Sequence, residues 1–263
     1  MTDTTTFSQT THDPGASPAD RATSLMLLAL ACAMGYMAFS GTYTHYTTPR
    51  TLPYIIAATI LLAILGAVAW IGAFHTTPRS MQRLLAGIVI PMLLIAFPPH
   101  PEQTASDQYA GGQPVAIRPH DHLHGMDAKA RTLHISDDEF GSWYEYIDSH
   151  PTQFQGYTVT VTGFISSSST TGKQQFRLSR MLMTCCILDM TPFGFTVDTS
   201  GQSTKRQHNS VIGKTAQNGT WVTITGILKP TSIGTKDHAY NGMALHVISA
   251  SPAHAVNGYY YRP

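Results

Sequence analysis

The chain has 263 residues, a formal net charge of +1 and 12% charged residues. A near-neutral chain with no basic run lacks the electrostatic footprint of a nucleic-acid binder, so nucleic acid is not expected as a partner. Three cysteines are too few for a disulfide scaffold.

The average composition conceals two unlike halves. Between Ser24 and Pro99 the only Lys, Arg, Asp or Glu residues are Arg50, Arg79 and Arg83, whereas from His100 onward the chain is polar and rich in Thr, Ser, Gly and His. Residues 1–23, dominated by Thr, Ser, Asp and Pro, read as a disordered tail. Three apolar segments follow, over residues 24–40, 53–74 and 84–99. The second is the clearest, long enough to cross a hydrocarbon core of about 30 Å. Tyr54 and Trp70 lie near its ends, where aromatic rings favour the membrane interface. Its small residues, Ala57, Ala58, Ala63, Gly66 and Ala67, suit close approach of another helix. The third carries Pro91, which is tolerated in a span when neighbouring helices satisfy the freed carbonyl; the alternative is a re-entrant or interfacial segment. The first lacks the basic leading region of a signal peptide, since Asp3, Asp13 and Asp20 precede it and Arg21 comes last. It reads as an uncleaved helix, and Cys32 within it as a small hydrophobe.

With three spans, Arg21, Arg79 and Arg83 share one side of the membrane and Arg50 the other. The positive-inside rule then puts the N-terminus in the cytoplasm and the C-terminal domain on the extracytoplasmic side of a multi-pass cell-membrane protein. Without the third crossing, the domain falls inside.

Residues 100–133 read as a His/Pro/Gly-rich linker. His120, His122 and His124 alternate there and, in an extended chain, share one face. They are candidate ligands for zinc, against the plainer reading of a solvated linker. Residues 134–250 form the soluble domain. Ser136-Asp-Asp-Glu139 has the form of a capping box. Phe140, Trp143, Tyr144 and Ile147 then recur at helical spacing as one apolar stripe, expected to dock on a sheet, and Pro151 ends the helix.

Tyr157–Phe164 alternates strictly and reads as a strand. Its pattern returns at Trp221–Leu228, and Gln175–Met183, Phe193–Val197 and Met243–Ile248 complete five. Gly163 and Gly226 sit where a strand needs a bend, a bulge or a close backbone contact. Five short strands and one leading helix predict a mostly-β, OB-like small Greek-key barrel. Residues 251–263 read as a tail.

The stretch from Arg180 to Asp189 offers the chemistry. Cys185, Cys186 and Asp189 are candidate ligands for zinc or another thiophilic metal; alternatively the thiols do redox chemistry, with Arg180 stabilising a thiolate. Strand neighbours face opposite ways, so both sulfurs meet one ion only at a turn or bulge. The bland alternative is that the cysteines are core residues. No nucleotide-binding loop, nucleophile elbow or zinc-protease motif is present, so an enzyme is not expected. The three spans carry no acidic residue and no Lys, which fits an accessory or anchoring subunit better than a pore.

Several of these motifs together resemble the YcgQ-like family of bacterial proteins, described as subunits of a two-component membrane permease complex. The resemblance runs from Leu25 to Ser249. It is carried by Pro49-Arg50, Pro91, Pro98-Pro99, Asp138-Glu-Phe140 and Gly156–Phe164, by Phe176 and Arg180 leading into Cys185-Cys186-Ile-Leu-Asp189, and by Trp221–Gly226. Ile187-Leu188 stand where a small residue is usual after the cysteine pair. The resemblance implies a larger polytopic permease partner and supplies no substrate. The expected function is therefore an accessory permease subunit whose β domain binds a metal or thiol-reactive ligand. The alternatives are a membrane-anchored metal or thiol sensor acting without a permease, and a structural anchor whose barrel binds a protein or glycan.

Overall fold

Apolar length dictates the first part of the structure. The computed structural model describes residues 18–72, 87, 112–167, 172, 174–200, 217–235 and 239–263. The chain divides into two units, Met1–Tyr43 with Thr51–His100, and Thr44–Arg50 with Pro101–Pro263. In the first, helices α1 (Pro18–Ser40) and α2 (Leu52–Trp70) are each long and apolar enough to cross a membrane. They meet where a side chain is missing: a Cβ on Gly66 would lie 2.9 Å from Leu28 Cγ, and the Ser24 hydroxyl donates to the Gly66 carbonyl at 2.6 Å. Such small-residue contacts let helix backbones approach closely. Ala57 and Ala67, read as part of the same surface, are instead exposed. The third apolar segment, apart from Gly87, lies outside the described residues.

The second unit is built on a closed barrel. Its strands are β4 (Thr158–Ser166), β5 (Gln175–Leu182), β6 (Thr191–Asp198), β7 (Trp221–Ile233) and β8 (Tyr240–Pro252). Around the barrel the order is β4-β5-β6-β8-β7, closed by β7 pairing back to β4. All neighbours are antiparallel except β6 and β8, which are parallel. One strand serves two neighbours: β4 pairs with β7 from Thr158 to Phe164 and with β5 from Phe164 to Ser166. Gly163 lies at that switch, where a Cβ would meet the Ser179 carbonyl at 2.8 Å. At Gly226 the β7–β8 register slips, the bulge expected of a strand glycine.

Alternation sorts the side chains. Val159, Val161, Ile224 and Leu228 point into the core, while Thr160 and Thr162 pair outside with the hydroxyls of Thr225 and Thr223 at 3.0 and 2.8 Å. The stripe of α3 (Phe140–Ser149) docks as its spacing requires. Phe140 meets Phe193 and Phe195 of β6 edge-on, with centroids 5.8 and 5.4 Å apart. Trp143 and Ile147 are buried beside it. The helix ends at Ser149, and Pro151 opens a one-turn helix α4 (Pro151–Phe154).

Three local expectations change. Ser136 does not cap the helix: residues 137–139 form a turn, Glu139 is the residue before the first helical turn, and the Ser136 hydroxyl donates to the Asp138 and Glu139 carboxylates. The linker is shorter than composition suggests, because β1 (Gln113–Ala116), β2 (Met126–Asp127) and β3 (Thr132–His134) lie within it or across its end. The tail likewise contains the end of β8 and β9 (Gly258–Tyr261). β1 and β9 pair with each other in parallel, β9 adds to β5, and β3 adds to β4. Strands of two to four residues are too short to show alternation, and they form only against distant partners.

Gly194 of β6 tests the packing of α3 on the barrel. Its φ is +149°, and a Cβ there would sit 2.2 Å from the Leu178 carbonyl oxygen and 2.9 Å from Phe140 Cζ. Gly194→Ala is expected to destabilise the barrel by at least about 2 kcal/mol. Thermal unfolding followed by tryptophan fluorescence reads this directly.

Candidate metal centre

The loop between β5 and β6 is rooted in apolar packing at both ends. Met181 and Met183 on one side and Met190 on the other are buried with Phe164, Trp221 and Tyr259 in a second small core. Between those roots the chain turns through a short 3₁₀ segment, Ile187–Asp189. Asp189 folds back on the loop. Its carboxylate accepts from the amides of Thr184, Cys185 and Cys186 at 2.8, 2.6 and 3.2 Å. Three successive amides aimed at one carboxylate pull the backbone out of the strand, which removes the objection that neighbouring cysteines face apart. The ligand atoms of Cys185, Cys186 and Asp189 all lie within 4.8 Å of one another. Cys185 is exposed and Cys186 half-buried.

The electrostatics are those of a thiol held protonated beside a carboxylate. Hydrogen bonding to Asp189, then to Cys186, pushes the Cys185 thiol up to about 11. Desolvation raises the Asp189 carboxyl, but the Cys185 thiol and the three amides outweigh it and hold this group below the usual carboxylate range. A cation bound here would displace the Cys185 proton and relieve the charge crowding that keeps it on.

The loop has a second edge, made by residues that composition did not single out. Thr44–Arg50, the segment joining α1 to α2, belongs to the barrel unit. Thr47 pairs with Cys186 as an isolated antiparallel bridge. The Cys185 carbonyl accepts from the Thr47 hydroxyl at 2.8 Å and the Thr48 amide at 3.2 Å, and the Ile187 amide donates to the Tyr46 carbonyl at 2.9 Å. The Tyr259 hydroxyl donates to the Thr44 carbonyl at 2.7 Å. Peptides on both sides of Cys186 are thus tied to the connector. These partners stand more than 130 residues away in sequence, and no local pattern announces them.

Arg180 has another occupation. It is 4% exposed, its Nε donates to the Thr162 carbonyl at 3.0 Å, and it forms an ion pair with Asp137. Its guanidinium lies 4.7 Å from the Trp221 ring centroid and 5.5 Å from that of Phe140. It pins α3 to the barrel and is not among the groups that shift the Cys185 thiol. The histidines also separate from the loop. Residues 120–122 form a 3₁₀ turn rather than the extended run that the alternation argument requires. His120 stacks on Tyr146 at 4.8 Å, and His124 Nδ1 is 2.8 Å from Glu139 Oε1. Among the described residues, only the cysteine loop brings three metal-type side chains together in this way.

An apolar helix pair followed by a closed β-barrel with a dithiol–carboxylate loop defines the class of protein. The chain belongs to the DUF1980 family, whose C-terminal domain matches residues 118–262, more than half of its length. No curated protein matches it. Among solved structures, the small single-stranded DNA-binding protein from Streptomyces coelicolor is similar at 13% identity over 37% of this chain and 94% of that one, with a TM-score of 0.25.

Because the Cys185 thiol is held protonated, alkylation at pH 8 is expected to run roughly tenfold or more slower than at an ordinary cysteine. Asp189→Asn should accelerate it. Mass spectrometry of iodoacetamide-labelled peptides over time checks both rates.

Proposed function

We propose that this protein is a membrane-anchored metal-binding module serving as the accessory subunit of a permease complex. The observation that carries the metal reading is the loop itself: two thiols and a carboxylate within 4.8 Å, on an exposed turn. That donor set suits zinc or another thiophilic cation. Asp189 both contributes an oxygen and, through the three amides, orients the two sulfurs. The role is binding rather than catalysis: a thiol whose proton is held by its neighbours is the opposite of an activated nucleophile.

The barrel is read as OB-like. Five strands with β4 shared between two neighbours and closure by a parallel β6–β8 pair support this. The chain is further read as three-span, with the barrel outside the cytoplasm. The connector Thr44–Arg50 is part of the barrel unit, so barrel and connector share one side of the membrane. Helix α2 carries the chain to the other side, and the return requires one more crossing before Gln113. The apolar residues 84–99 provide it, and Arg21, Arg79 and Arg83 against Arg50 orient it.

The permease partner rests on the family resemblance and on spans that carry no acidic residue or Lys. Zinc titration of the full chain in detergent is expected to show one site, lost in Cys185→Ser/Cys186→Ser and weakened about 10- to 100-fold in Asp189→Asn. Equal binding by parent and double variant ends the metal reading. Co-purification from native membranes is expected to bring down a polytopic membrane protein in stoichiometric amount. A solitary chain that still binds zinc favours the second reading, a membrane-anchored sensor.

A further inference from the structure

The donors of the cysteine turn stand side by side. Cys185 and Cys186 are consecutive, yet the amides gathered by Asp189 bend the chain so that the two thiols hydrogen-bond to each other, and Cys185 to the carboxylate as well. Both sulfurs and a carboxylate oxygen fall within 4.8 Å of one another. Cys185 is exposed and Cys186 half-buried, so the set is reached from solvent. The two carboxylate oxygens are unequally engaged. Oδ2 accepts from the amides of Cys185 and Cys186, and Oδ1 from that of Thr184. Each carboxylate oxygen has about two lone-pair sites. Once the Cys185 thiol proton has left, Oδ1 has room for one more donor.

This arrangement sorts thiophilic ligands by shape. Sulfurs in hydrogen-bonding contact are not opposed across an ion, as a linear two-coordinate centre requires. A trivalent metalloid hydroxide has the matching form. Its lone pair fills one side, its three bonds crowd onto the other, and it exchanges oxygen for sulfur readily. Two neighbouring thiols take two of those bonds, and a carboxylate beside them accepts a hydrogen bond from the hydroxyl on the third.

We propose that Cys185 and Cys186 bind a trivalent metalloid hydroxide of the arsenite or antimonite class, with Asp189 accepting from the hydroxyl that the metalloid keeps. This rests on the reading of the loop as a thiophilic binding site and names what that site takes. The adduct forms by condensation. Two S–H and two As–O bonds break, two As–S and two O–H bonds form, and two waters leave. Arsenic stays trivalent, neither sulfur is oxidised, and no net proton is released.

Arsenite alone is the probe, added to the full chain in mild detergent with a phosphine reductant, because dithiol reductants compete for it. Intact mass spectrometry is expected to show one adduct per chain, heavier by AsOH less two hydrogens. Cys185→Ser and Cys186→Ser should each remove it, and Cys32→Ser should not. In weakly buffered solution zinc binding should release protons and arsenite binding none. A synthetic peptide of residues 180–190 carries the same thiols without the barrel. The folded chain, with its pair already brought together, is expected to bind arsenite about tenfold or more tighter than this peptide. Equal affinity overturns the proposal, since the adduct is then that of any adjacent dithiol, and so does an adduct that survives in Cys185→Ser/Cys186→Ser. Arsenite should also block iodoacetamide labelling of Cys185 and Cys186 in the parent chain, a readout that needs no substitution. Undiminished labelling overturns the proposal even if the serine variants misfold. Zinc binding without an arsenite adduct ends this proposal and leaves the metal reading in place, whereas binding of neither ends both.

Discussion

The cysteine loop depends on one carboxylate. Asp189 takes three successive amides at 2.6–3.2 Å, and hydrogen bonds to a charged acceptor are roughly twice as strong as neutral ones. Without that anion the amides of Thr184, Cys185 and Cys186 lose a shared acceptor, and residues following β5 have no reason to leave the strand direction. Everything distinctive about the site follows: the sulfurs converge, the turn closes into a 3₁₀ segment, and the backbone of Cys185 and Ile187 is presented sideways to Tyr46–Thr48. The methionines at the roots hold the loop to the barrel by burial, while the carboxylate sets its shape.

The same carboxylate offers a cation an oxygen beside two sulfurs and opposes ionisation of the Cys185 thiol. An anion beside a thiol discourages thiolate formation, and a second thiol adds to that effect. A divalent cation reverses the balance, because it neutralises the charge that opposes ionisation. A thiol proton and a cation would therefore compete for one small cluster. Arg180, which a sequence view assigns to the thiols, is committed to Asp137, Thr162 and two aromatic faces. Its charge stabilises the seat of α3 on the barrel.

The connector gives this arrangement its reach. Here the segment between the first two helices is a part of the barrel unit and is tied to the backbone on both sides of Cys186. The cysteine turn is thereby linked by hydrogen bonds to Tyr46, Thr47 and Thr48.

Much of the architecture was legible from local pattern. Continuous apolarity marked α1 and α2, the spacing of Phe140, Trp143, Tyr144 and Ile147 marked the docking helix, and strict alternation marked β4 and its repeat in β7, with Gly163 and Gly226 at a close contact and a bulge. Cys185, Cys186 and Asp189 were also nameable, since their chemistry is in the residue types. Tertiary structure alone decided the rest, because it depends on pairing between distant segments. The two- to four-residue strands β1, β2, β3 and β9 exist only through their partners. The capping role of Ser136 gave way to a turn whose carboxylates have other uses, and His120 and His124 were drawn to Tyr146 and Glu139. The convergence of the two thiols depends on a loop folded around Asp189 and bonded to Thr47 and Thr48, a contact across more than 130 residues that hydrophobic periodicity cannot encode.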